Sequence, residues 1–130
     1  MGHECEKNMT KILIIEDEAT LRKTMADYLA AEKFEVFEAA DGETGLALAK
    51  KEIPDLILLD IILPKKNGYE VLEELKIGEK TRKIPVILLT NLESPEDIEK
   101  AFEKGAVTYL IKSDYRLEDI VKKIKETLKM

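Results

Sequence analysis

The sequence predicts an α/β domain in which helices cover both faces of a parallel sheet. Short runs rich in Ile, Leu and Val alternate with longer amphipathic segments along the whole chain. Several of these runs are almost continuously apolar, which is typical of parallel strands buried on both faces. The length of 130 residues is that of one domain, so we expect a stand-alone, doubly wound domain with no separate output domain.

Five segments have the composition of strands: Lys11–Ile15, Phe34–Ala39, Leu56–Asp60, Val86–Thr90 and Val107–Ile111. The first, third and fourth segments are nearly uninterrupted apolar runs, which favours positions inside the sheet. The second segment alternates apolar and charged residues. We therefore predict that the second strand lies at an edge of the sheet.

Five segments between and after these strands have helical periodicity: Ala19–Glu32, Glu43–Glu52, Tyr69–Ile77, Glu96–Lys104 and Leu117–Leu128. Asp41 precedes the second helix as a capping residue, with Thr44 three positions later. Ser94 and Pro95 form a typical start for the fourth helix, and Gly105 a typical end.

Composition excludes several functional classes. Hydrophobic residues make up 45% and charged residues 37%, which describes a folded, soluble domain. The net charge of −6 and the pI of about 5.0 disfavour nucleic acid or an anionic membrane surface as the main partner. We therefore expect no direct contact with nucleic acid.

The beginning of the chain carries no functional signal. Residues 1–9 are mostly polar and predict a flexible tail before a domain over 10–130. Cys5 is the single cysteine, so no intramolecular disulfide is possible, and His3 with Cys5 provides too few ligands for a metal site. The longest apolar run is interrupted by Asp60 and is too short to span a membrane. We therefore predict a cytoplasmic protein.

The residues at the strand ends carry the chemistry, because ligands bind beyond the carboxyl ends of the strands in doubly wound sheets. Those residues are Glu16, Asp17, Asp60, Thr90 and Lys112. Three carboxylates held together repel one another unless a cation lies among them, and oxygen donors without His or Cys favour Mg²⁺. An ammonium and a hydroxyl suit phosphate oxygens, and Asp60 would then be a nucleophile that forms an acyl phosphate.

Purely structural roles compete with this interpretation. Glu16 and Asp17 could cap the first helix, and Thr90 and Lys112 are ordinary residues when each is taken singly. A structural role is hardest to defend for Asp60, since an isolated carboxylate inside the run LILLDIILP is costly to bury. The joint placement of all five residues is what favours a phosphate site.

From about Lys11 to Leu128 the chain resembles response-regulator receiver domains. The segment DIILPKKNGYEVL, Asp60–Leu72, is similar to the family's phosphoacceptor aspartate and the Leu-Pro and Asn-Gly turn after it. IIEDE, Ile14–Glu18, resembles the family's acidic pair, and LLT, ending at Thr90, resembles its switch hydroxyl. GAVTYLIK, Gly105–Lys112, resembles the last strand with its aromatic residue and lysine.

This resemblance implies a flavodoxin-like sheet in the order 2-1-3-4-5 and a phosphorylation switch. Asp60 would accept a phosphoryl group from a sensor histidine kinase, a phosphotransfer protein or a small phosphodonor. By the family's pattern, Asp17 and Asp60 ligate Mg²⁺ directly, the backbone carbonyl of Ile62 is a further ligand, and Glu16 acts through metal-bound water. The protein would phosphorylate and dephosphorylate itself and would turn over no diffusible substrate, so it is not expected to be an enzyme in the usual sense.

The resemblance also implies how the switch is transmitted. Lys112 would pair with the phosphoryl group, Thr90 would move to hydrogen-bond it, and Tyr109 would turn inward. The face formed by the fourth helix, the fifth strand and the fifth helix would then change shape. A downstream protein or another receiver would bind that face.

The chain departs from the family pattern at three positions. Ser113 follows Lys112 where the family most often has a proline after a cis bond, and a cis bond before serine would cost about 2.5 to 4 kcal/mol. Asn91 stands where the family usually has a very small residue, and Glu16 stands where aspartate is commoner.

The residues two positions after the phosphoacceptor and the switch hydroxyl are Ile62 and Leu92, which are bulky and apolar. Hydrolysis of an acyl phosphate requires an in-line water, which such neighbours hinder. We predict slow autodephosphorylation.

Three other functions stay open at this point. A receiver-like binding module that is never phosphorylated would keep the fold and its contact face alone. An aspartate-nucleophile phosphatase would need a second acid where this chain has Ile62. An FMN carrier would need a hydroxyl- and glycine-rich loop where the chain has EDEAT, Glu16–Thr20.

Overall fold

The computed structural model describes residues 9–61, 63–90, 95–111 and 116–130. Strands and helices alternate in the following order: β1 Lys11–Ile15, α1 Ala19–Ala31, β2 Glu35–Ala39, α2 Gly42–Glu52, β3 Leu56–Asp60, α3 Gly68–Ile77, β4 Val86–Thr90, α4 Pro95–Glu103, β5 Thr108–Ile111 and α5 Leu117–Leu128. All of these elements were predicted, with ends that agree to within one residue. Phe34 was predicted in β2, but its N–H donates to the carbonyl of Leu29 at 3.1 Å and closes the turn after α1.

The five strands form one parallel sheet in the order β2-β1-β3-β4-β5, as predicted. Strand β2 lies at an edge, whereas β1, β3 and β4 are interior. Ile15 pairs with Leu59, and Asp60 pairs with Leu89. The carboxyl ends of β1, β3 and β4 therefore lie side by side, and we refer to this side of the sheet as its carboxyl edge.

The core consists of two apolar layers, one on each face of the sheet. Alternate residues of β1 and β3 point to opposite faces, which follows from the two-residue period of a strand. One layer packs against buried residues of α2, α3 and α4, including Leu46, Leu72 and Ala101. The other packs against buried residues of α1 and α5, including Leu29 and Ile124. Helices on both faces explain why every residue of β3 is buried.

The helix ends confirm two of the predicted signals. The Asp41 carboxylate accepts a hydrogen bond from the Thr44 N–H at 2.8 Å, so Asp41 caps α2. Gly105 follows α4 with a φ of 115°, a conformation that favours glycine. Ser94, the predicted cap of α4, lies outside the described residues, as do residues 1–8 with His3 and Cys5.

Within the described residues, no helix combines the length and the apolar character needed to cross a membrane.

Candidate functional site

Glu16 and Asp17 follow β1 directly and begin the turn into α1. The Glu16 side chain is fully buried, and its Oε2 atom accepts a hydrogen bond from the Glu18 N–H at 2.9 Å. The backbone N–H of Glu16 donates to the carbonyl of Ala39 at 3.0 Å. This bond joins the end of β1 to the end of β2. Asp17 is exposed. The turn thus places one carboxylate inside the protein and the next at its surface.

Asp60 is the last residue of β3, and only 5% of it is exposed. Its position follows from the register, because β3 lies between β1 and β4 and ends beside both. Carboxylate oxygens of Glu16, Asp17 and Asp60 lie within 4.8 Å of one another. The structure therefore brings together the three carboxylates that the sequence placed at one edge of the sheet.

This group of residues fits a hard divalent cation. All three donors are carboxylate oxygens, which Mg²⁺ prefers, and an exposed Asp17 leaves the cluster accessible to a hydrated ion. Two of the three carboxylates are buried, so their mutual repulsion is screened less by solvent than at an exposed site. Asp17 and Asp60 can serve as metal ligands. The predicted carbonyl ligand, Ile62, lies outside the described residues.

The loop that follows Asp60 is fixed by close backbone approaches. The Gly68 N–H donates to the carbonyl of Ile61 at 2.7 Å, and a Cβ atom on Gly68 would lie 2.6 Å from the Asp60 carbonyl oxygen. A Cβ atom on Gly42 would lie 1.9 Å from the Lys66 carbonyl oxygen. Glycine is therefore required at both positions, and the start of α2 is in contact with the loop that leaves the site.

The start of α3 is held by its own side chains. Asn67 and Glu70 form a capping box, in which each side chain accepts a hydrogen bond from the other residue's N–H, at 3.0 and 3.1 Å. Lys66 donates a hydrogen bond to Glu74, which raises the pKa of the Lys66 ammonium above its ordinary value. These contacts join Lys66 and Asn67 to the first two turns of α3.

The remaining predicted site residues are only partly described. Thr90 ends β4, and its backbone pairs with Ile111 of β5, whereas its side chain lies outside what the structure describes. Lys112, Asn91, Leu92 and Ser113 also lie outside the described residues, and with them the peptide geometry predicted for 112–113. The effect of Ile62 and Leu92 on hydrolysis stays a prediction.

Tyr109 lies in β5 and is half-buried against the core layer beneath α3 and α4. Its ring meets the ring of Phe102 edge to face, with 5.9 Å between the centroids. Tyr109 also borders an open groove of about 520 Å³ between β5 and α5, which Asp119 and Lys122 line from the helix. The predicted switch residue thus stands between the core and a groove on the predicted contact face.

Two contacts near the site were not predicted from the sequence. Arg22 in α1 donates to the Glu16 carbonyl at 2.9 Å, and Gly42 approaches the loop after Asp60. Neither residue belongs to a pattern that marks a site. The one available signal is the position of Arg22 in the first turn of the helix that follows the acidic pair.

A doubly wound sheet with three carboxylates at the carboxyl ends of β1 and β3 defines a class of α/β proteins that can hold a divalent cation where such sheets bind their ligands. Comparison with known families identifies the class. The family model described as the response regulator receiver domain matches residues 12–125. The chain belongs to this family, and it is a receiver domain of two-component systems.

Individual relatives agree with this assignment. The transcriptional regulatory protein CiaR of Streptococcus pneumoniae is 43% identical over 121 residues, which cover 93% of this chain and 52% of CiaR. The DNA-binding dual master transcriptional regulator RpaA of Synechocystis is 36% identical over 93% of this chain and 50% of its own length. The CheY-like receiver domain protein of Methanospirillum hungatei has a TM-score of 0.87 and 31% identity, with 94% of this chain and 95% of that chain covered.

The chain spans about half the length of the curated relatives CiaR and RpaA. Both are named transcriptional regulators, so the comparisons do not support the expectation that nucleic acid is excluded as a partner. The acidic charge behind that expectation belongs to these 130 residues alone and says nothing about a longer protein. The expectation of a domain without an output module likewise stays a prediction.

Proposed function

We propose that the protein is a phosphorylation switch in which Asp60 accepts a phosphoryl group with the help of Mg²⁺. The observation that carries this proposal is the meeting of Glu16, Asp17 and Asp60 within 4.8 Å at the carboxyl edge of a receiver-domain sheet. Burial of Asp60 at the end of β3 supports its role as a nucleophile, because the strand holds the carboxylate in a fixed position and little water competes for its oxygens.

The proposed reaction transfers a phosphoryl group from a histidine side chain of the donor protein to Asp60. An Asp60 carboxylate oxygen attacks the phosphorus atom of a phosphohistidine, the phosphorus–nitrogen bond breaks, and the histidine nitrogen keeps the electron pair. The product is an acyl phosphate, which water later cleaves to inorganic phosphate and the free carboxylate. Bound Mg²⁺ would neutralise part of the charge on the phosphoryl oxygens.

The chain's own residues prepare the site for this transfer. Asp17 and Asp60 would hold the ion, and Glu16 would hold one of its waters. Gly68 and the capping box of α3 keep the loop after Asp60 in place. Thr90 and Lys112 would contact the phosphoryl oxygens, and Tyr109 would respond by turning inward.

A histidine kinase or phosphotransfer protein is the proposed donor, in the cytoplasm, and the face around β5 is the proposed contact surface for a downstream partner. The groove between β5 and α5 supports this surface, because Tyr109 borders it directly. Tyr109 thus belongs both to the core layer beneath α3 and α4 and to the strand that lines this groove.

The test is the intact mass of the protein after incubation with acetyl phosphate and Mg²⁺. We expect a gain of one phosphoryl group that is abolished by a chelator and absent in Asp60→Asn. Asp55→Asn is the matched control, because Asp55 precedes β3 at its opposite end, where its Oδ2 atom accepts the Lys11 N–H at 2.8 Å. This control should gain the phosphoryl group normally.

Acetyl phosphate can fail for reasons of donor preference, so a phosphorylated histidine kinase is the second donor. Failure of the wild-type protein with both donors would contradict the proposal. The protein would then be a receiver-like binding module that is not phosphorylated.

A further inference from the structure

Arg22 connects three elements beside the acidic cluster. From the first turns of α1 its Nη1 atom donates to the carbonyl oxygen of Glu16 at 2.9 Å, and its Nε atom donates to Oε1 of Glu38 in β2 at 3.2 Å. The Arg22 side chain is only 19% exposed. It therefore ties the end of β1 to both α1 and β2.

The hydrogen bond from Arg22 to the Glu16 carbonyl acts on the backbone of the carboxylate cluster. The carbonyl belongs to the peptide plane that joins Glu16 to Asp17, and a planar peptide fixes the direction in which the next Cα atom lies. The Glu16 N–H and its Oε2 atom are held separately, by Ala39 and by the Glu18 N–H. Arg22 thus completes the restraint on the residue that precedes Asp17.

We propose that Arg22 is a positioning residue for the Mg²⁺ site: it orients the Glu16–Asp17 peptide without being a ligand itself. This inference rests on the proposed function, since it assumes that the three carboxylates bind Mg²⁺. The guanidinium group suits the task because its rigid, planar fork can donate to two fixed acceptors at once, whereas an ammonium is a single point charge.

Charge and geometry make opposite predictions for this residue. A cation close to the carboxylates repels Mg²⁺, so removal of its charge alone would tighten Mg²⁺ binding. Loss of a contact that orients a ligand weakens metal binding, by about 10- to 100-fold where outer-shell partners have been removed. The direction of the change in affinity therefore distinguishes a positioning role from a purely electrostatic one.

The experiment measures the dissociation constant for Mg²⁺ by calorimetry, at a temperature well below unfolding, for the wild type and two variants. Arg22→Met removes the charge and both hydrogen bonds but keeps an unbranched apolar stem. Lys23→Met is the matched control, because it removes the same charge from the next residue. Lys23 is largely exposed and pairs with Asp27 one turn later, at 3.2 Å.

We expect Arg22→Met to weaken Mg²⁺ binding about tenfold. Lys23→Met should bind Mg²⁺ as the wild type does, or slightly more tightly. Thermal unfolding in a chelator reports the stability of each variant separately, and a merely structural role of Arg22 would change that stability without changing the affinity of the folded protein. An affinity of Arg22→Met equal to or tighter than that of the wild type would overturn the inference.

If Arg22→Met does not fold, Arg22→Lys takes its place, because it keeps the charge but loses the planar fork. We expect weaker Mg²⁺ binding there as well, and wild-type affinity would again overturn the inference. The proposed function fails in a different way: the wild-type protein itself would then bind no Mg²⁺. The two failures are therefore distinguishable in one set of titrations.

Discussion

The amino and carboxyl ends of the sheet differ in how their polar groups are arranged. At the amino end, oppositely charged or complementary polar groups lie together. Asp55 accepts the Lys11 N–H at 2.8 Å, and the Lys11 ammonium donates to the carbonyl of Glu52 at 3.3 Å. At the carboxyl end, Glu16, Asp17 and Asp60 place three groups of the same charge within 4.8 Å.

The amino end also satisfies its more deeply placed polar groups. The Lys76 ammonium donates to the carbonyls of Arg82 and Ile84, at 3.2 and 3.0 Å, although burial lowers the pKa of this ammonium below its ordinary value. The Thr81 hydroxyl, in a residue only 2% exposed, donates to the Leu75 carbonyl at 2.7 Å. Polar groups at this end therefore serve the fold.

Of the two ends, the carboxyl end carries the arrangement that costs stability, and the proposed function gives a reason for it. Gathering like charges costs stability, and pairing donors with acceptors does not. A sheet built for stability alone would resemble its amino end throughout. Repulsion at the carboxyl end is what a cation in the proposed site would compensate.

The largest expected effect concerns Asp17→Asn: the variant should be more stable than the wild type without Mg²⁺ and less stable than the wild type with it. In a chelator, Asp17→Asn relieves repulsion between carboxylates and should raise the free energy of unfolding by about 1 kcal/mol, the size of a solvent-screened interaction at 4 Å. In Mg²⁺ at 100 times its dissociation constant, the wild type should gain about 2.7 kcal/mol that the variant largely lacks. Denaturant unfolding with and without Mg²⁺ measures both quantities.

Asp27→Asn is the control for this sign change. Asp27 is an exposed residue of α1 that pairs with Lys23 and lies outside the carboxylate cluster. Its effect on unfolding should be small and the same with and without Mg²⁺. If Asp17→Asn destabilised the protein equally in both solutions, repulsion at the carboxyl end would be refuted.

A smaller effect is expected at the amino end. Thr81→Val removes the buried hydroxyl that donates to Leu75 and should lower the free energy of unfolding by about 1 kcal/mol. The loss should not depend on Mg²⁺, because the carboxylate cluster lies at the other end of the sheet and the effects of distant sites on unfolding free energy are additive. The same denaturant experiments provide the measurement.

Thr127→Val tests whether the loss comes from the buried hydrogen bond. The Thr127 hydroxyl donates to the carbonyl of Lys123 at 2.8 Å, within α5 and only partly buried. Bonds of this kind inside a helix contribute little to stability. Equal losses in both variants would show that the position of the Thr81 hydroxyl is irrelevant.

The sequence was sufficient for features that depend on local patterns. Apolar runs and helix-capping residues predicted every element to within one residue, and the position of Asp60 after a buried run predicted its place in the acidic cluster. Arg22 was missed for a physical reason: Glu38 lies 16 residues away in sequence, and only the packing of α1 beside β2 brings the two together. The contact between Gly42 and Lys66 was missed for the same reason.

The smallest effect concerns Asp41, which caps α2 near the carboxyl edge. The hydrogen bond from the Thr44 N–H lowers the pKa of Asp41 below its ordinary value of 3.8 in the folded protein. The folded state therefore binds fewer protons than the unfolded state between the two pKa values. The stabilisation is complete above about pH 4 and is lost as the pH falls through the folded-state pKa.

We expect Asp41→Ala to lower the thermal midpoint at neutral pH, and the difference from the wild type to shrink as the pH falls below 3.8. Asp41→Asn separates the cap from its charge, since asparagine also caps helices but does not titrate. Its midpoint relative to Asp41→Ala should stay higher at every pH. If the difference between the wild type and Asp41→Ala were as large in strong acid as at neutral pH, the charge of Asp41 would contribute nothing beyond a neutral cap.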